Sequence, residues 1–214
     1  MKYSLWQNIL YRLNYDRTIV HLQTDLRNIG LNKDISPFIT REMNYDSEEE
    51  LIQWAEIVND AYDDGGKYDL EYAKNHLNNH LFLKTTNVYL VFDGVKPIGT
   101  ISIGVYKENP KIGGAVRLAV RKDYQGYGIG KYLHLYGFVK LREKGFYYIE
   151  SILTITREQS MRMNFSYGFV PQFNRKFISY KGQKRYAIVR FLVNRNLKKQ
   201  YKKYLLEVSE KFLK

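Results

Sequence analysis

The chain contains no cysteine, which excludes a disulfide framework and a cysteine nucleophile and agrees with a reducing compartment. No apolar run approaches the roughly 18 residues that cross a bilayer. The opening segment MKYSLWQNILYRLNY lacks the continuous apolar region and small-residue cleavage site of a secretory leader. A soluble, cytoplasmic protein with no membrane partner is therefore expected. Histidine is scarce. Of His21, His76, His80 and His134, only His76 and His80 have helical i,i+4 spacing. Without a Glu-x-x pattern or a third ligand beside them, no metal is expected, and no serine sits in a nucleophile-elbow context. Internal repeats and low-complexity segments are also absent.

What is present is basic charge and tyrosine. The 214 residues carry 34 Lys and Arg against 22 Asp and Glu, a formal net charge of +12, so the long-range field favours anions. Basic residues concentrate in 175–195 and in the tail at Lys198, Lys199, Lys202 and Lys203, whereas 46–50 and 60–69 are acidic. The basic tail reads first as a solvated face; nucleic acid or a ribosomal surface is the less favoured partner. The 20 tyrosines suit sheet edges, where the ring is buried and the hydroxyl stays wet.

The densest information lies in VRLAVRKDYQGYGIGKYL, Val116 to Leu133. An apolar strand runs into a glycine-rich turn that opens directly into a helix. Gly126, Gly128 and Gly130 let the backbone adopt positive φ and approach a ligand, while the first N–H groups of the helix point outward. Phosphate oxygens are the natural occupants of such a turn. Two commoner phosphate templates fail. A dinucleotide G-x-G-x-x-G needs glycine at Leu133 or at Lys131, and a P-loop needs glycine at Gln125 and Ser or Thr at Tyr132.

The pattern that fits is Gln-x-x-Gly-x-Gly, Gln125 to Gly130, after the strand end Leu118-Ala119-Val120. Here the chain resembles the GCN5-related N-acetyltransferase (GNAT) superfamily, whose acetyl-CoA loop reads [Gln/Arg]-x-x-Gly-x-[Gly/Ala]. A second segment matches at the right distance: the helix 130–144, the strand 147–155, a short helix over 157–167 and the step Gly168-Phe169-Val170-Pro171. The resemblance covers about 37–193, with its specific motifs confined to 116–171.

Hydrophobic periodicity sets out the rest. Residues 21–29 are expected to form a short helix stopped by Gly30, and Trp6, Ile9, Leu10 and Leu13 have helical spacing. A strand is expected over 38–43. Ser47 then caps a helix with Glu50 completing a capping box, and Leu51, Trp54, Ile57, Val58 and Ala61 form its apolar stripe. A loop over 63–66 precedes a second helix over 69–81. Strands at 88–92 and 98–105 flank an Asp93-Gly94 turn, and 110–114 link them to the strand before the glycine loop. Residues 177–180 and 186–193, around a Lys181-Gly182 turn, read as a last antiparallel pair. The tail places Leu197, Tyr201, Tyr204, Leu205, Val208 and Phe212 on one helical face, suited to docking on the domain or on a second copy in a homodimer.

The resulting order, βααβββαβαββ, is an α+β, three-layer α/β/α arrangement on a mixed, mostly antiparallel sheet. The resemblance implies the same order, with two central strands splayed to admit the pantetheine arm. The expected organisation is an N-terminal extension (1–35), a GNAT-like domain (36–195) and a basic amphipathic helix (196–214).

The resemblance also implies roles. The backbone of Leu118, Ala119 and Val120 would hold the pantetheine arm, with an oxyanion donor near Val120. Backbone N–H groups of Gln125, Gly126, Tyr127, Gly128, Ile129, Gly130 and Lys131 would hold the pyrophosphate. Tyr124 and Tyr127 are read as loop packing or adenine-side contacts. In the second segment Arg157 stands where the family often has Asn, and Ser160 where it has Ala. The tyrosine that commonly protonates the departing thiolate is replaced by Asn164, which leaves Asn164 as a hydrogen-bond donor to sulfur or Tyr167 as the acid. Glu150, the only acidic residue within the strand 147–155, is the candidate base; its alternative is a strand-edge carboxylate paired with a surface lysine.

The implied activity is acetyl transfer from acetyl-CoA to the primary amine of a small molecule. A CoA-binding sensor or scaffold and an acetyltransferase of a protein or ribosomal N-terminus are the alternatives.

Overall fold

The computed structural model describes residues 19–29, 38–62, 68–79, 83–107, 109–173 and 186–212. They form two compact units, the larger being 25–150 and the smaller 1–24 with 151–214. The segment holding Trp6, Ile9, Leu10 and Leu13, the acidic loop 63–66, His80 and the expected strand and turn over 177–182 lie outside the described residues.

In the larger unit, strand β2 (Ile39–Glu42) is followed by helices α1 (Glu48–Ala61) and α2 (Leu70–Asn79). Strands β3 (Leu83–Asp93), β4 (Lys96–Tyr106) and β5 (Ile112–Val120) come next, then helix α3 (Ile129–Glu143). The four strands pair antiparallel in the order β2-β3-β4-β5. The β3–β4 hairpin closes on the pair Asp93 and Lys96, so Gly94 and Val95 form the turn, one residue later than expected. Gly94 takes a φ of +56° there.

Helix α1 starts where the sequence placed it. Ser47 Oγ accepts from the Glu50 N–H at 3.3 Å. The reciprocal half of the capping box is absent. The Ser47 N–H donates to the Asn44 carbonyl instead, and the Glu50 carboxylate accepts from the Asn44 N–H (2.8 Å) and from Arg41 (3.0 Å).

Strand alternation sorts the apolar residues to two faces of this sheet. Val88, Leu90 and Phe92 of β3 and Ala119 of β5 form one buried cluster with Leu51, Trp54, Ile57 and Val58 of α1 and Ala73 of α2. On the opposite face, Tyr89 meets Tyr136 of α3 edge-on at 5.2 Å, and Gly137 lies so close to Ile101 that a Cβ would stand 2.8 Å from its Cδ1. Helices thus cover both faces, and the architecture is α+β. Tyr132 and Tyr136 line the second face, Tyr132 sharing a 2.6 Å hydrogen bond with Thr40 on β2.

Strand β5 begins earlier than expected and takes Gly113 and Gly114 into the sheet. A Cβ at Gly114 would stand 2.7 Å from Leu83 Cδ2, and one at Gly113 would stand 2.9 Å from Leu141 Cδ2. These glycines serve close packing rather than a link.

The chain passes between the units in strands β1 (Ile19–Asp25) and β6 (Tyr148–Thr154). β1 corrects the helix expected over 21–29: Leu22 and Gln23 pair with Pro171 and Val170 of the two-residue strand β7 (Val170–Pro171), and Ile19, Val20 and Leu22 are buried. A single 3-10 turn, Leu26–Asn28, follows.

The smaller unit also holds helices α4 (Glu158–Ser166) and α5 (Tyr186–Phe212). α5 is the second correction, because residues 186–193, read as a strand, open this 27-residue helix. Phe165 of α4 packs against Tyr201 and Tyr204 at ring distances of 5.0 and 5.7 Å, and Arg162 pairs with Glu207. Val193 and Leu197 are fully buried, whereas Leu205 is 48% exposed although it shares the expected apolar face. Among the described residues no helix is long and apolar enough to cross a membrane.

Candidate active site

The site grows from the end of β5. After Val120 the chain makes a 3-10 turn at Lys122–Tyr124, and neighbouring elements pin it. Asp60 of α1 accepts the Lys122 N–H at 2.6 Å. Arg121 donates to Glu56 (3.0 Å) and to the Pro97 carbonyl (2.9 Å). The Tyr124 hydroxyl bonds Asp93 at 3.2 Å, and Tyr127 is 77% exposed.

Gln125 turns its side chain back, its amide donating to the Val120 carbonyl at 3.0 Å. The loop then takes φ of +88° at Gly126 and +83° at Gly128, the left-handed region that favours glycine. A Cβ built at either position meets no protein atom within 4 Å, so both open onto free space. Gly128 is also the N-cap of α3 and offers no side chain to the first turn. The first bond inside the helix runs from the Tyr132 N–H to the Gly128 carbonyl at 2.9 Å. The N–H groups of Ile129 and Gly130 precede it, at the positive end of a 15-residue helix. Gly130 differs from the other two, since its Cβ would make an ordinary 3.9 Å contact with Val120 Cγ2. The protein itself does not need glycine there, whereas a ligand lying against the helix start would. This geometry fits the pyrophosphate of a coenzyme A molecule.

Sequence reasoning missed a second feature. Arg117, inside β5, has a φ of +53° and is the only described non-glycine residue with positive φ. The register shift around it, with Thr100 paired to Ala119 but Ser102 to Val116, marks a β-bulge. A left-handed non-glycine residue costs roughly 1–3 kcal/mol and persists only where its surroundings over-determine it. Here they do. Arg117 donates to the hydroxyls of Tyr68 (3.2 Å) and Tyr72 (2.9 Å), and its guanidinium lies 5.2 Å from the Tyr68 ring centroid. Burial opposes its charge, but the phenol oxygens of Tyr68 and Tyr72 outweigh that and hold its pKa above the ordinary arginine value. Just past the bulge, Tyr62 at the end of α1 donates to the Leu118 carbonyl at 2.5 Å. The only trace of this cluster in the sequence is three tyrosines around an acidic loop.

A match to the acetyltransferase (GNAT) family model spans residues 50–169, more than half of the chain. The chain belongs to the GNAT acetyltransferase family. Among solved structures, a putative GNAT-family acetyltransferase from Novosphingobium aromaticivorans superposes with a TM-score of 0.52 at 11% identity, over 73% of this chain and 61% of that one. A functionally unknown conserved protein from Staphylococcus epidermidis gives 0.55 at 12% identity, over 80% and 65%. An N-acetyltransferase from Staphylococcus aureus gives 0.50 at 16% identity, over 62% and 83%. At these identities the likeness establishes the fold, and the first two matches span less than two thirds of the other chain. Among curated proteins no match is found.

The GNAT match contains every candidate site residue, and they divide between the two units. Leu118, Ala119, Val120, Gln125 to Lys131 and Glu150 belong to the larger. Glu150 lies buried within β6, only 1% exposed. Arg157, Ser160, Asn164 and Tyr167 belong to the smaller unit. Arg157 is the exposed N-cap of α4. Asn164 is 1% exposed; its amide nitrogen donates to the Ser160 carbonyl at 2.8 Å, and its Oδ1 has no partner among the described residues. Tyr167 is mostly buried, and burial pushes its phenol up to about 12. Among the described residues no group of His, Asp or Glu is placed to hold a metal ion.

Proposed function

We propose that this GNAT-family chain is an acetyl-CoA-dependent N-acyltransferase that moves an acetyl group to the primary amine of a small molecule by direct attack. The observation that carries the proposal is the left-handed Gly126–Gly128 turn opening onto free space at the uncapped start of α3. Bound acetyl-CoA supplies the activated acyl carbon and its thiolate leaving group. The residues of this chain bind and orient it. N–H groups from Gln125 to Lys131 hold the pyrophosphate, with the Lys131 ammonium adding charge. The backbone of Leu118, Ala119 and Val120 holds the arm. The carbonyls of Leu118 and Val120 each already accept one side-chain donor, so the arm uses their second lone pairs and the neighbouring N–H groups.

Glu150 takes the proton of the attacking amine, directly or through one water, from a site where burial limits competing solvent. For the departing thiolate, Tyr167 is a phenol that keeps its proton at neutral pH, and Asn164 offers only a hydrogen bond. Arg157 and Ser160 are assigned to CoA binding. Positioning amine and thioester together supplies much of the acceleration.

One observation favours a second reading, a CoA-binding scaffold with little turnover: the side chain at the family's usual tyrosine position is a buried amide already committed to Ser160. Mixing the protein with acetyl-CoA and a panel of amines, amino acids, aminoglycosides and N-terminal peptides, and following free CoA thiol, separates the two. Release that depends on a small amine and collapses in Gly128→Asp supports the enzyme. CoA binding without release across the panel supports the scaffold. Release confined to N-terminal peptides would move the acceptor from small molecule to protein.

A further inference from the structure

The most strained described backbone position in the larger unit lies one residue from the strand segment assigned to the pantetheine arm. Arg117 stands in the left-handed region within the β5 bulge, and three tyrosines, Tyr62 at the end of α1, Tyr68 just before α2 and Tyr72 in α2, converge on it and its neighbour. Tyr62 fixes the Leu118 carbonyl from one side. Tyr68 and Tyr72, packed edge-on at 4.6 Å, fix the Arg117 guanidinium. On the far side of Leu118, the Gln125 amide fixes the Val120 carbonyl. The β4 ladder breaks at the bulge and resumes where Ala119 pairs with Thr100, and the carbonyls on either side of Ala119, those of Leu118 and Val120, are each held by a side chain. Arg121 donates its N–H to Ile98 of β4, so strand alternation turns the groups of Val120 to the opposite edge of β5. The bulge sets how far the Leu118 groups share that direction.

We infer that Tyr62, Tyr68, Tyr72 and Arg117 form a clamp that sets the direction of the Leu118–Val120 backbone and so positions the pantetheine arm of the acyl donor, an inference that rests on the acetyl-CoA reading above. Arg117 and Tyr62 act as positioning residues. They do not touch the pyrophosphate, which the glycine loop binds through its own backbone. The phosphate end and the arm of one ligand are thus separately addressable.

This separation gives the test. CoA and 3′-phosphoadenosine 5′-diphosphate, the same phosphate end without the arm, are titrated into full-length wild type, Tyr62→Phe and Arg117→Gly by calorimetry. Tyr62→Phe removes one hydroxyl and keeps the ring. Arg117→Gly adopts positive φ freely and removes only the clamped side chain. The expected result is CoA affinity about ten-fold weaker in both variants, the scale of one lost buried hydrogen bond, with affinity for the arm-less nucleotide within about two-fold of wild type. The KM for acetyl-CoA should rise in parallel. Equal loss of both ligands would mean that the cluster only supports the fold, and unchanged CoA affinity would mean that the arm does not read this backbone; either result overturns the clamp while leaving the acetyl-CoA reading intact. Wild-type protein that binds neither ligand would overturn both.

Discussion

At Gly126 and Gly128 a methyl group would meet no protein atom within 4 Å, so the cost of alanine there is one of backbone conformation alone. Each Gly→Ala change should lower stability by about 1–2 kcal/mol, the left-handed penalty, and weaken CoA because the cradle must deform. Gly130 should behave oppositely. It is helical with ordinary φ, so Gly130→Ala should raise stability by up to about 1 kcal/mol through helix propensity, yet still weaken CoA if the ligand lies against it. Thermal unfolding alongside CoA titration of the three variants checks this. Stability loss in Gly130→Ala would show that the protein, rather than the ligand, needs that glycine. The loop was legible because its signal is local: glycines at fixed spacing between a strand and a helix. Arg117 was not, since nothing in an arginine announces positive φ, and the tyrosines that enforce it sit 45 and more residues away.

Among the elements, α1 was read correctly because a polar cap and a 3.6-residue stripe are both local. Ser47→Ala should cost about 1 kcal/mol, seen as a lower midpoint in urea with an unchanged slope. A smaller loss would indicate that the Asn44–Glu50 bonds already secure the helix start. The stretch Tyr186 to Val193 was misread for a physical reason. YAIVRFLV is a short apolar run rich in β-branched and aromatic residues, and such a run has no period that separates strand from helix. Its continuation into the 27-residue α5, whose Val193 and Leu197 are buried, decides the matter. Residues 19–25 failed in the other direction. They pair with Val170–Pro171, far along the chain, so no local window contains the pairing that makes them a strand.

For the molecule as a whole, acid sensitivity should come first from one histidine. His134 lies fully inside α3's packing beside Phe138, and burial pushes its pKa down to about 3. The unfolded chain binds a proton there below about 6.5. The stabilising contribution of the neutral buried ring is therefore complete above pH 6.5 and is lost as pH falls from 6.5 toward 3. Carboxylates such as Glu48, held below its usual range by Lys74, titrate lower, so the interval from about 6.5 to 4.5 reports the histidine. Tm should fall across that interval in wild type and stay nearly flat in His134→Leu. A wild-type Tm independent of pH there would mean that His134 protonates in the folded state.

The pairing of Leu22 with Pro171 also bears on how the chain acquires its structure in time. The antiparallel order β2-β3-β4-β5 joins neighbours in sequence, so those strands can zip together as they emerge during synthesis. β1 emerges before all of them and must wait roughly 150 residues for β7, a long closure set against a two-residue strand. Pulse-labelled refolding should therefore protect the amides of β3 and β4 well before those of Leu22 and Gln23. Until translation has passed residue 171, the buried apolar set Ile19, Val20 and Leu22 lacks the cover of β7, which leaves β1 open to proteases and chaperones during synthesis.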